Sequence, residues 1–184
     1  RQRQMCIETD TRQDTLEANV LAAIQLQVEA ALDYDKLLDK LRGSEGEKNI
    51  RDQQNALITS LNLRLNGVSK KRTRLYEDYA EGLLDEAEYS FAKKSYDEQY
   101  ADLSHRLDEA VQRRSKFDEA MSVDNKWITL MKSVSTATQL SQDLVDESVE
   151  LVKVHEGGAV ELVMKYGDIY ELTIQSIKEV QEAM

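Results

Sequence analysis

Three observations predict a mainly α-helical fold, with a long antiparallel coiled-coil hairpin attached to a small α+β base that carries one β-hairpin. Proline is absent from all 184 residues, where average usage near 5% would give roughly nine. Charged residues make up 32% of the chain and aromatic residues only 6%, which suits a core spread along helical seams. Between Ile50 and Met121, seam residues recur at alternating spacings of three and four, the pattern of a heptad repeat.

The first region, residues 1–46, opens with Arg1 to Thr11, which reads as extended and unanchored. Asp10 or Thr11 is placed to cap a helix whose apolar positions are Leu16, Val20, Ile24, Val28, Ala31, Leu32, Leu38 and Leu41. That helix is amphipathic without being heptad-strict. Its apolar face is expected to be covered by the C-terminal part of the chain or by a missing domain. Gly43-Ser44-Glu45-Gly46 reads as a flexible joint.

Residues 47–122 form the predicted arm. On the outgoing helix Ile58, Leu65, Arg72 and Tyr79 fall at a, and Leu61, Val68 and Leu75 at d. The returning seam is Tyr89, Lys93, Tyr96, Tyr100, Leu103, Leu107, Ala110, Arg114, Phe117 and Met121. The tip lies near residues 80–88. Gly82 fits a left-handed residue ending the first helix, and Asp85-x-x-Glu88 fits a capping box starting the second. Setting Tyr79 against Tyr89 registers the arms: Arg72 meets Tyr96, Val68 meets Tyr100, Leu65 meets Leu103, Leu61 meets Leu107 and Ile58 meets Ala110. Gln54 then faces Arg114, and Arg72 is placed to lie over a tyrosine ring. Arms of ~30 residues at 1.5 Å each make a rod ~45 Å long, a spacer or handle with no cleft.

Residues 123–184 return to the base. Ser122-Val123-Asp124 breaks the helical pattern, and Asn125 to Thr136 gives a short helix with Trp127, Leu130, Met131 and Val134. Ser141 is placed to cap a helix from Gln142 to Glu150, with Leu144, Val145 and Val149 inward. The period then changes to an alternation from Leu151 to Glu156, answered by Val160 to Tyr166 across Gly157-Gly158: a β-hairpin over about 150–166. Gly167-Asp168 ends it, and Ile169 to Met184 reads as a final helix.

The formal charge of −11 lacks the basic character of a free-standing nucleic-acid binder. Charge is unevenly spread. Glu77, Asp78, Glu81, Asp85, Glu86 and Glu88 crowd the tip, and Lys70, Lys71, Arg72, Arg74, Lys93 and Lys94 form a basic collar below it. This is either an ordinary solvated surface or a dipolar end that docks, acidic rim to basic collar, on a second rod. In the second reading Leu83 and Leu84 are apolar anchors and the arms self-associate.

One cysteine, Cys6, excludes an internal disulfide framework. No signal peptide appears, and no apolar run approaches the ~20 residues of a membrane span, so a cytoplasmic protein without membrane contact is expected. A first residue of Arg1 suggests a piece of a longer protein. His105 and His155 lack neighbouring ligands and read as surface histidines, and Gly157-Gly158 sits between strands, not before a helix. No Ser has an obvious base, so the piece is not expected to be an enzyme by itself.

Leu75-Tyr76-Glu77-Asp78-Tyr79-x-x-Gly82-Leu83-Leu84-x-x-x-Glu88-Tyr89, followed by Lys94-x-Tyr96, resembles the coiled-coil insertion of large serine recombinases. Cys6 before Leu16-Glu17-x-x-Val20 resembles the segment after the last zinc cysteine of that family. Leu140 to Val154, the hairpin to Tyr166, and Asp168 resemble the return into its zinc-binding domain. The resemblance implies a C-terminal fragment without the serine-nucleophile domain. Its arm would hold DNA-bound subunits in synapsis and set the directionality of integration or transposition. Partners would be DNA attachment sites, through the full-length parent, and a recombination directionality factor. Zinc would be a cofactor of that parent, with Cys6 the last of four ligands, and the fragment itself would hold none. Two other readings stand beside it: a coiled-coil interaction or scaffold protein with no nucleic-acid role, and an enzyme fragment with a hidden site.

Overall fold

The structure, a computed structural model, describes the backbone of residues 2–154 and 160–184 and the side chains of residues 14–153 and 161–184. The fold is mainly α-helical with one two-stranded antiparallel β-hairpin. In chain order it runs α1 (Gln2–Leu41), α2 (Glu45–Ala80), α3 (Glu86–Met121), α4 (Lys126–Ser133), α5 (Gln142–Ser148), β1 (Val149–Val154), β2 (Val160–Met164) and α6 (Gly167–Glu182). Gly157-Gly158 and His155 lie outside the described residues. Among the described residues no helix is long and apolar enough to cross a membrane.

The chain divides into two compact units. One, here called the base, comprises residues 1–44 and 118–182, and its core is built on α1. Val20, Ile24, Val28, Ala31, Leu38 and Leu41 are buried on one stripe of that helix, at the spacing of a single helical face. The C-terminal part of the chain covers them: α1 packs on α4, β2 and α6. Trp127 and Met131 of α4, Val134 at its C-cap, Leu144 of α5, Val149 of β1, and Ile169, Ile177 and Val180 of α6 pack into the same core. Trp127, Tyr34 and Tyr170 form an aromatic triad with ring centroids 4.7–6.4 Å apart and tilted planes, the edge-on geometry favoured by ring quadrupoles.

A buried polar hub ties three segments of the base. Asn125 is the N-cap of α4, and its Oδ1 accepts from the Ile128 N–H at 3.1 Å. Its Nδ2 donates to the Ala120 carbonyl at 2.9 Å and to Thr173 Oγ1 at 2.8 Å. Thr173 Oγ1 in turn donates to the Ile169 carbonyl at 2.7 Å. Arg42 closes the turn after α1 by donating to the carbonyls of Met121 and Ser122 at 2.9 and 2.6 Å.

The hairpin pairs Val149 with Met164 and Leu151 with Val163, then runs in register to Val154 and Val160. Glu150 is therefore an extra residue on β1, a bulge.

The second unit, residues 45–117, is built from α2 and α3. Leu61, Val68, Leu103 and Ala110 form its buried cluster, with Ile58, Leu65, Tyr96, Tyr100 and Leu107 packed around it. Cross-helix contacts run in opposite chain directions: Tyr79 on Tyr89, Arg72 on Asp97, Arg114 on Asn55, and Arg51 over Phe117.

Several expectations are corrected. Gln2 to Thr11 is not extended, because α1 is helical from Gln2; Arg1 lies outside the described residues. Gln, Arg, Met and Glu have good helix propensity, and extending an existing helix avoids the nucleation cost. Leu32 lies off the buried stripe and is exposed. The joint at 43–46 is shorter than expected: Arg42–Ser44 alone leave the helical path, with Gly43 at φ +74°, and Gly46 is already inside α2. α4 stops at Ser133, and α5 yields to β1 at Val149, one residue before the expected start of the hairpin.

Candidate interaction site

Local chemistry fixes the α2–α3 turn. Gly82 takes φ +75°; its N–H donates to the Tyr79 carbonyl at 3.1 Å, and that of Leu83 donates to the Asp78 carbonyl at 2.9 Å. These two bonds define a Schellman ending. Three residues on, Asp85 Oδ1 accepts from the Glu88 N–H at 2.8 Å while Glu88 Oε2 accepts from the Asp85 N–H at 3.0 Å. This is the reciprocal capping box that the spacing predicts. Tyr79 and Tyr89 stack across the turn with centroids 4.3 Å apart and planes 16° off parallel.

A Schellman ending usually sets the residue after the glycine against an apolar residue one turn back. Here those residues are Asp78 and Glu77, so Leu83 finds no apolar cover there and is 67% exposed. Leu84 is half-buried, so the two leucines are not equivalent. Tyr76 and Phe91, 62% and 81% exposed, add apolar surface on the flanking turns. Sequence reasoning used Tyr76 only within the motif of the family resemblance and passed over Phe91. The signal was present for Phe91, which is two residues past Tyr89 and so rotated about 200° off the seam.

Charges around the tip are partly satisfied within the chain. Asp85 and Glu88 are taken by the capping box, leaving Glu77, Glu81 and Glu86 exposed. Of the collar, Arg74 Nε lies 4.0 Å from Asp78, and Lys93 Nζ lies 2.7 Å from Asp97. The hydrogen bond with Asp97 raises the Lys93 pKa, and the same bond holds the Asp97 carboxyl below its ordinary range. Lys70 and Lys71 are exposed.

Along the seam Leu61, Val68, Leu75 and Leu103 are buried, while Ile58, Leu65, Tyr96, Tyr100 and Leu107 are half-buried. Two polar pairings differ from the expected ones. Arg72 lies over Tyr100 at 4.8 Å, not Tyr96, and binds Asp97 at 2.7 Å. A carboxylate within reach outweighs a ring face and draws the guanidinium along α3. Arg114 donates to Asn55, not Gln54, whose Oε1 is buried without a partner among the described residues. His105 is exposed beside Glu109 at 3.6 Å.

No protein-family model, curated protein or solved structure matches the chain. The resemblance to large serine recombinases is overturned. Among the described residues no three His, Cys, Asp or Glu side chains are grouped to hold a metal, so the zinc-binding base that it requires is not found there. The Cys6 side chain lies outside the described residues. The resemblance rested on Tyr and Leu at helical spacing, which any amphipathic helix pair supplies.

Proposed function

We propose that the chain is a coiled-coil interaction or scaffold protein. Its α2–α3 pair acts as an antiparallel coiled-coil arm that docks through its tip onto a second copy. The seam supports the arm: every buried α2 position from Leu61 to Leu75 is a heptad d residue. One observation carries the docking role. The turn is closed by a Schellman ending, a capping box and a tyrosine stack, yet it holds Leu83 out in solvent. A turn needed only to connect two helices would not require that exposure. The acidic rim of Glu77, Glu81 and Glu86 then meets Lys70 and Lys71 of the second copy. A contact this small is weak, and a weak contact serves an assembly in which other attachments raise the local concentration.

The test replaces Leu83→Asp together with Phe91→Asp. Neither side chain is buried, so circular dichroism and melting should stay within about 0.5 kcal/mol of wild type. Sedimentation equilibrium should show a concentration-dependent dimer that the double variant loses. Equal association by both proteins, or none by wild type at millimolar concentration, would remove the docking role.

A further inference from the structure

One stripe of α2 carries a charge pattern that is complementary to itself. Lys70, Arg74, Glu77 and Glu81 follow one another at spacings of four, three and four. At 100° per residue they fall within about 60° of one another, on the face opposite the seam of Val68 and Leu75. All four are exposed, and the Arg74 side chain is 83% so. Glu81 stays on the helical path, since its N–H donates to the Glu77 carbonyl at 2.9 Å.

Within a single chain this order works against the helix. Like charges stand at i and i+4 twice, Lys70 with Arg74 and Glu77 with Glu81, and each such pair weakens a helix. Glu77, Asp78 and Glu81 also gather at the C-terminal end of α2, where the helix dipole disfavours anions. Intrachain relief is slight, with Arg74 Nε 4.0 Å from Asp78. Gly67, one turn before Lys70 on the same face, is a further cost in a helix interior. It has no positive φ, and nothing stands within 4 Å of where its Cβ would be. Neither its backbone nor its packing requires glycine there. Local choices that oppose the fold they sit in mark a surface with another use.

A two-fold axis between Leu75 and Tyr76 turns each of these conflicts into an attraction. With two α2 helices antiparallel, Arg74 faces Glu77 of the second copy. Lys70, four residues back, then faces Glu81, four residues on, and the symmetry makes each opposite-charge pair twice. The exposed Leu83, just beyond the stripe, points along it toward the gap at Gly67 of the second copy. We propose that the arm docks through this stripe as a closed, two-fold dimer of antiparallel α2 helices. This arrangement rests on the tip-docking role proposed above and fixes its register and stoichiometry. A two-fold contact uses the same surface on both copies, so it saturates at two.

Two double variants of the intact chain keep the composition and net charge of wild type and separate register from overall charge. Lys70→Glu with Glu81→Lys exchanges the members of one facing pair, so every pair across the axis stays opposite in sign. Lys70→Glu with Glu77→Lys sets like charge against like in every pair. Both place opposite charges at i and i+4 within the helix, so circular dichroism should show each at least as helical as wild type. Sedimentation equilibrium is run at about 50 mM salt, where the Debye length exceeds ~10 Å. Wild type and the first variant should form dimers with dissociation constants within about threefold of each other, and the second variant should bind about tenfold more weakly or not at all. Equal association by the two double variants would overturn the register and leave docking to Leu83 and its apolar neighbours. Species larger than a dimer at saturation would overturn the closed two-fold. No association by any of the three, wild type included, would remove this arrangement together with the docking role.

Discussion

Asn125 joins the end of α3, the start of α4 and the middle of α6 through one side chain that is fully buried. Replacing it by Ala removes an N-cap and leaves the Ala120 carbonyl without that donor in a dry site. The expected loss is about 2–4 kcal/mol, read from urea unfolding; a loss below about 0.5 kcal/mol would mean that water replaces the amide. The sequence pattern starts this helix at Asn125 itself, whereas the structure makes Asn125 its N-cap. The partnership with Thr173 has no local signal at all, because nothing links residues so far apart. Asp97 provides a pH-dependent contrast on the surface. Its depressed carboxyl contributes stability that is present above its ordinary value of 3.8 and is lost as pH falls through the folded value. The raised Lys93 contributes below its ordinary 10.5 and loses that contribution as pH rises through its folded value. The pair therefore acts across the whole neutral range. Asp97→Asn should melt lower than wild type near pH 7, and the gap should close as pH drops below about 4. A gap that stayed constant with pH would assign the effect to something other than charge.

At the scale of elements, α2 and α3 were legible because heptads, a positive-φ glycine and a capping box are local signals. The register they imply makes a sharp expectation. Cysteines at positions 61 and 107 should form a disulfide under mild oxidation, whereas a 61 and 103 pair, displaced by about one helical turn, should not. The opposite yield would shift the whole pairing. The first quarter of α1 was not legible, since Gln2 to Thr11 offers no apolar stripe and its helicity is inherited from the turns that follow. The aromatic triad of the base was equally hidden. Trp127, Tyr34 and Tyr170 are drawn from three distant helices, and only tertiary packing brings their rings together.

For the whole molecule, the net charge of −11 gives salt two opposing effects on self-association. Screening relieves general repulsion between copies and favours association, but it also weakens contact between acidic rim and basic collar. Rim-to-collar docking predicts that the dissociation constant rises between about 50 and 300 mM salt, a range over which the Debye length falls through ~10 Å. Sedimentation across that range gives the sign, and tighter association at high salt would leave Leu83 and its apolar neighbours as the sole adhesive. The sealed turn at Gly82 also has a consequence in time. Contacts between α2 and α3 are nested around it, from Tyr79 with Tyr89 out to Arg51 with Phe117, so each closure shortens the loop left for the next. Joining residues 45 and 117 directly would close a loop of about 70 residues, about 1.7 kcal/mol costlier in chain entropy than one of about 10. Zipping from the turn avoids that barrier. The two sequence-distant halves of the base, residues 1–44 and 118–182, can then find each other late and cheaply, with the inserted unit already folded.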